Sequence, residues 1–169
     1  VDAAQISGFV FANSCNHLNT KDIIVIGSTH KTLPLYPLGF ILTNNKHYFS
    51  KIDSLIFPGF IRTNNLLFQI ANTFGLLLFK YLSSEYIHRI NNYRLSFSES
   101  LIDQGLELIT HPKYPHSSHQ IWVKVSERNP KAIAEILSFS NLYVEARDFP
   151  FDSGSGLRIG VQQIAADFI

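Results

Sequence analysis

Apolar positions along this chain fall into short continuous runs, alternating stretches and long stretches at helical spacing. Ile23, Ile24, Val25 and Ile26 form a β-branched run that breaks at Gly27 into the polar turn Ser28, Thr29, His30, Lys31. A continuous run of this kind predicts a strand covered on both faces, as in a sheet sandwiched between helices. Residues 1–6 predict a short strand before it, residues 7–21 a connector formed by a surface loop or one short helix, and residues 40–43 another strand of the same sheet. Residues 64–82 are apolar nearly all round, which predicts a core helix buried between layers. Helical spacing continues over residues 85–108, with Ile87, Ile90, Leu101 and Leu106 on one side and Arg89, Arg94, Glu99 and Asp103 on the other, and Gly105 close to the end.

Further on the elements shorten. Residues 111–118 hold two prolines and two histidines and read as a loop, and residues 119–125 alternate like a half-exposed strand. Asn129 followed by Pro130 supplies a cap and a first-turn proline for a helix reaching about residue 139. Residues 142–144 predict the next strand, residues 145–156 a polar connector, and Leu157, Arg158 and Ile159 follow it. The pattern is α/β, divided into residues 1–82, a linking helix over 83–110 and a small α/β domain over 111–169.

Composition narrows the classes. With 46% hydrophobic residues the 169-residue chain can build a core, and its 14 basic and 13 acidic residues are interspersed, so no face is built for nucleic acid or an anionic membrane. The most apolar stretch, residues 66–82, is interrupted by Gln69, Asn72, Thr73 and Lys80 and falls short of the roughly 20 apolar residues of a membrane span. Cys15 is the only cysteine. That excludes an intrachain disulfide and a cysteine zinc site, and suits the reducing cytoplasm. His111, His116 and His119 are irregularly spaced across two prolines, so no metal is expected. The absence of methionine and the strand-like first residues point to an internal piece of a longer polypeptide.

Lys31 is the residue around which chemistry would gather. It lies just past the end of a buried strand, where ligands bind in open α/β sheets, and partial desolvation lowers an ammonium pKa toward that of a nucleophilic amine. Taken alone, it reads first as a solvated lysine in a turn, just as Asp2 alone reads as a solvated strand-end acid. Arg158, between two apolar side chains and flanking glycines, is costly unless its fork is paired, by a structural acid or by a ligand.

Four stretches in order resemble serine hydroxymethyltransferases: Val1 through Gly8 (VDAAQISG), Ser28 through Leu33 (STHKTL), Ile56 through Gly59 (IFPG) and Ser155 through Gly160 (SGLRIG). The resemblance implies the C-terminal part of a fold-type-I, aspartate-aminotransferase-like enzyme dependent on pyridoxal 5'-phosphate (PLP), with a large-domain sheet and helices plus a small α/β domain. It implies that Lys31 holds the cofactor as a Schiff base and that Asp2 lies beneath the ring and keeps its nitrogen protonated. Ser28, Thr29 and His30 would position the phosphate, imine and hydroxyl groups, and Gln5, where the family has histidine, can still donate to the ring oxygen. Gly59 is the glycine remaining from a loop that reaches the phosphate of the neighbouring subunit. Arg62 and Thr63 would supply a charge and a hydroxyl there, or Thr63 caps a helix. Arg158 would grip the substrate α-carboxylate.

By the same resemblance the substrate is a small amino acid, the reaction makes or breaks its Cα–Cβ bond, and the enzyme is a homodimer. Tetrahydrofolate is the family's one-carbon acceptor. Arg147, near where folate-using members place an asparagine against the pterin, argues against it and toward a threonine-aldolase or transaldolase reaction. After Lys31 the family's glycine- and arginine-rich run is replaced by Pro34, Leu35, Tyr36 and Pro37. The run Ser28 through Pro34 (STHKTLP) also resembles basic amino-acid decarboxylases of the same fold. The lost glycines keep a non-catalytic paralogue open.

Overall fold

The computed structural model describes residues 1–12, 22–56, 59, 65–110, 118–125, 129–149 and 154–166. Cys15, Arg62, Thr63, His111 and His116, all weighed above, lie outside these residues. The chain divides into two compact units, Val1–Ile87 and His88–Ile169, and the division falls inside one helix.

In the first unit, β1 (Ile24–Ser28) and β2 (Gly39–Thr43) pair antiparallel, from Ile24 opposite Thr43 to Ser28 opposite Gly39. The first residues run parallel along the other edge of β1: Asp2 pairs with Ile26, the Ala3 amide donates to the Ile26 carbonyl at 2.8 Å, and the Ile26 amide to the Val1 carbonyl at 3.0 Å. The strand runs on through Gly27 because the ring of Phe40 fills the space a side chain would take, 2.3 Å from where a Cβ would stand. The expectation of two covered faces holds for one: Val25 is buried, whereas Ile26 on the opposite face is 45% exposed. The connector after the first strand contains the short helix α1 (Ser7–Phe11), and it is no surface element, since Ser7, Gly8 and Phe9 are all buried.

Two elements of this unit differ from the sequence reading. Asn45 caps a helix the pattern did not announce, α2 (Lys46–Leu55), its side chain accepting from the amides of His47 and Tyr48. The two helical stretches are a single 38-residue helix, α3 (Leu66–Asp103), closed by Gly105 at φ 79° with the Leu106 amide donating to the Leu101 carbonyl. Residues 83–84 carry serines, which a helix tolerates when no proline or glycine breaks it. By length and composition alone α3 could cross a membrane, and 11% of its most apolar window is buried. Within the first unit its buried residues are Asn72, Phe79, Tyr86 and Ile87, so the expected all-round burial is confined to one face.

The second unit is a three-stranded antiparallel sheet in the order β3 (Gln120–Lys124), β5 (Ser155–Gly160), β4 (Glu145–Asp148). Residues 107–109 extend it along β3, with Ile109 donating to the Trp122 carbonyl at 2.8 Å. Helix α4 (Pro130–Ser138), capped by Asn129, packs against β4 and β5, and α5 (Gln162–Ala166) follows β5. Ile121, Val123, Leu157, Val161 and Ala165 form the core. The strand expected at 142–144 begins at Glu145 instead. Residues 139–142 are used to close α4: Asn141 takes φ 59° and the Leu142 amide returns to the Leu137 carbonyl.

Candidate active site

Residues 1–8 and 26–32 lie side by side, held by hydrogen bonds between groups about 24 positions apart. The Ser28 hydroxyl donates to the Ala4 carbonyl at 3.1 Å, the Ser28 amide to Ser7 Oγ at 3.2 Å, and the Gly8 amide to Thr32 Oγ1 at 2.9 Å. Gly8 is obligatory here, since a Cβ would stand 2.3 Å from the Thr32 carbonyl oxygen. Asp2 and Gln5 are thereby carried on the segment adjoining the one that carries His30 and Lys31.

The individual side chains differ in how free they are. Asp2 is exposed and its Oδ1 accepts from the Ala4 amide at 2.9 Å. Gln5 is half-buried, His30 is exposed and Lys31 is half-buried, on the turn just beyond β1. Ser28 and Thr29 are buried, and their hydroxyls are bonded to backbone: Ser28 as above, Thr29 to the carbonyls of Tyr36 and Leu38 while accepting from the Leu38 amide at 2.8 Å. Gly59 is exposed, with open space around the position of a Cβ.

Arg158 belongs to the second unit. In the sheet it stands between Glu145 on β4 and Trp122 on β3, so the three side chains share one face. Its Nη2 donates to Glu145 Oε2, and the other oxygen of Glu145 accepts from Arg147 Nε, so one carboxylate holds both guanidinium groups. Trp122 stacks on Phe149 with centroids 5.2 Å apart. Among the described residues no group of three His, Cys, Asp or Glu side chains is placed to hold a metal.

Sequence reasoning missed Ser7, Thr32 and Glu145, whose roles depend on partners far along the chain, and Asn72, for which a signal existed. A lone asparagine in the apolar run LLFQIANTFGLLLF needs a hydrogen-bond partner if it is buried. Asn72 is 5% exposed, its Oδ1 accepts from the Tyr36 amide at 2.8 Å and its Nδ2 donates to the Tyr36 carbonyl at 3.0 Å.

No protein-family model matches the chain. Curated relatives do, along nearly all of it. The serine hydroxymethyltransferase of Staphylothermus marinus is 30% identical over 171 aligned positions, covering 96% of this chain and 39% of that protein. The chain is serine-hydroxymethyltransferase-like. Its mixed helix and sheet fits a partial, C-terminal stretch of a fold-type-I enzyme. Proteins of the same name from Sulfolobus acidocaldarius and Saccharolobus solfataricus are 28% and 29% identical, each over 96% of this chain and 40% of the relative. The chain thus spans about two-fifths of the length of the curated relatives it matches.

An amine and a carboxylate are the pair a pyridine aldehyde requires, one for its carbonyl and one for its ring nitrogen, and here Asp2 is bridged to Ile26 within β1 while Lys31 is on the turn beyond that strand. The residues present fit PLP in that respect. Ser28 and Thr29 fit it less directly, because their hydroxyl protons are given to backbone carbonyls.

Proposed function

We propose that the protein carrying this chain is a PLP-dependent enzyme that makes or breaks the Cα–Cβ bond of β-hydroxy amino acids, as in serine hydroxymethyl transfer. The carrying observation is the side-by-side registration of residues 1–8 with residues 26–32, which puts the Asp2 segment against the Lys31 turn. Similarity to enzymes named serine hydroxymethyltransferase supports the same reading.

When bound, PLP supplies an electron sink for the pair released at the substrate α-carbon. Lys31 would hold the cofactor through its amine, and that amine would also be available to carry a proton at the substrate. The Asp2 carboxylate would pair with the ring nitrogen and favour its protonated form. His30, exposed beside Lys31, offers an imidazole to the substrate hydroxyl. Ser28 and Thr29 act mainly through the backbone they brace. Arg158 orients the α-carboxylate: a guanidinium has five donors, and the bond to Glu145 engages Nη2. Gly59 offers backbone to the phosphate of a second copy in a homodimer.

A folate-independent aldolase or transaldolase reading is favoured by one observation. Arg147, which by the resemblance falls near where folate-using members place an asparagine against the pterin, is a cation paired through Nε to Glu145.

Adding PLP to the protein and recording its visible spectrum tests the proposal. A visible band that shifts on adding glycine, and that is missing in Lys31→Ala, is the expected result. Borohydride reduction followed by peptide mapping should place the cofactor on Lys31. A native protein with no band would mean a non-catalytic paralogue. Turnover of L-serine with and without tetrahydrofolate, compared with L-threonine, then separates transferase from aldolase.

A further inference from the structure

The turn that carries Lys31 is a closed loop over residues 29–38. Its ends are tied by the Thr29 amide donating to the Leu38 carbonyl at 2.9 Å and the Leu38 amide returning to Thr29 Oγ1 at 2.8 Å. Inside it, the Leu35 amide donates to the Thr29 carbonyl at 3.1 Å. The loop is also fastened from outside. Phe68, Asn72 and Gly75 recur at helical spacing on one face of α3, and each meets it. Phe68 stacks on Tyr36 with centroids 5.1 Å apart, and Gly75 admits Leu35 so closely that a Cβ would stand 2.3 Å from Leu35 Cδ2. Between these two, Asn72 takes both backbone groups of Tyr36 and reaches Thr29 Oγ1 at 3.4 Å.

Among the described residues, Asn72 is the one polar group in this contact that touches both the middle of the loop and its closing hydroxyl. A buried amide bonded three ways holds a segment in one register, whereas the apolar contacts beside it tolerate sliding. The loop itself contains two prolines and lacks glycine. It is stiff, so a displacement at Tyr36 is passed along to Lys31 instead of being absorbed. We infer that Asn72 is a positioning residue: by clamping Tyr36 and Thr29 from α3 it fixes where Lys31 stands relative to the Asp2 segment. This rests on the function proposed above and adds to it a residue that touches neither cofactor nor substrate.

Two measurements on the protein carrying this chain decide it. Hydrogen exchange without cofactor reads the clamp alone. In Asn72→Ala the amides of Tyr36 and Leu38 should exchange at least about fivefold faster than in the native protein, the factor expected for losing a buried hydrogen bond. The amides of α4 should be unchanged. PLP titration reads the consequence: affinity should fall by a similar factor and the pH midpoint of the visible band should move. Thr73→Ala, which removes a hydroxyl bonded to the Gln69 carbonyl of the same helix, should change neither. Thr29→Val combined with Asn72→Ala should cost less than the two separate losses added, because both act on one loop. Should Asn72→Ala not fold, Asn72→Asp keeps the acceptor for the Tyr36 amide, removes both donations and is read in the same way.

Unaltered exchange at Tyr36 and Leu38 would overturn the clamp. Faster exchange with unchanged PLP affinity and band would overturn its link to Lys31. A native protein that takes up no PLP, with exchange responding as described, would overturn the enzymatic reading and the positioning role with it, and would leave a structural clamp.

Discussion

Burial sets the behaviour of single side chains in both units. Tyr86 is fully buried, edge-on to Phe79 at 5.8 Å, and burial pushes its phenol up from 10.0 to about 12. A raised pKa means the folded state keeps its proton after the unfolded chain has lost it. The stability this contributes is therefore complete below about pH 10 and is lost as pH rises toward about 12. Thermal unfolding across that range should show a decline that Tyr86→Phe lacks, and absorbance titration should find one tyrosine ionising late. In the second unit, Arg158 and Glu145 are both partly exposed, so screening limits their pairing. Glu145→Gln should cost at most about 1 kcal/mol in unfolding experiments. Arg158→Ala should instead raise the KM for amino-acid substrate by at least about tenfold while leaving the visible band in place, if its role is to bind carboxylate.

Elements here meet through glycines that leave no room for a side chain. At Gly156, near the start of β5, a Cβ would stand 2.0 Å from the Val123 carbonyl oxygen and 2.8 Å from the Phe149 ring. The oxygen belongs to a paired strand and cannot yield, so Gly156→Ala should lower stability by about 1–3 kcal/mol or more. The near-ultraviolet circular dichroism of the stacked Trp122 and Phe149 should weaken with it. Gly8 makes the corresponding approach to Thr32, and Gly8→Ala should lower both stability and reductive trapping of PLP at Lys31. Gly39 is the internal control. Its nearest neighbour to a Cβ is the Gly27 carbonyl oxygen at 3.8 Å, so Gly39→Ala should be tolerated.

Across the molecule, the first half of α3 has two unlike faces. Phe68, Asn72, Gly75 and Phe79 meet the first unit, while Leu67, Ile70, Phe74, Leu77 and Tyr81 are between 47% and 82% exposed. Those five recur at alternating steps of three and four, the spacing of a helical packing seam. The 169-residue chain by itself should bind an apolar dye strongly, and Leu67→Gln with Phe74→Gln and Leu77→Gln should reduce the fluorescence severalfold without loss of helical circular dichroism. Residue pattern alone determined most elements, because period, caps and turn residues are local properties. Asn129 and Pro130 announce α4, alternation announces β3, and the strand-then-polar-turn pattern announces β1 and the turn that carries Lys31. Only tertiary structure decided that the Ser28 and Thr29 hydroxyls are bound to backbone, that Glu145 holds Arg158, that α3 is continuous and covered on one face, and that Asn72 grips the Lys31 loop. Each of these depends on which distant groups come within a hydrogen bond's reach, and that is set by strand register and helix packing, which no window of neighbouring residues encodes.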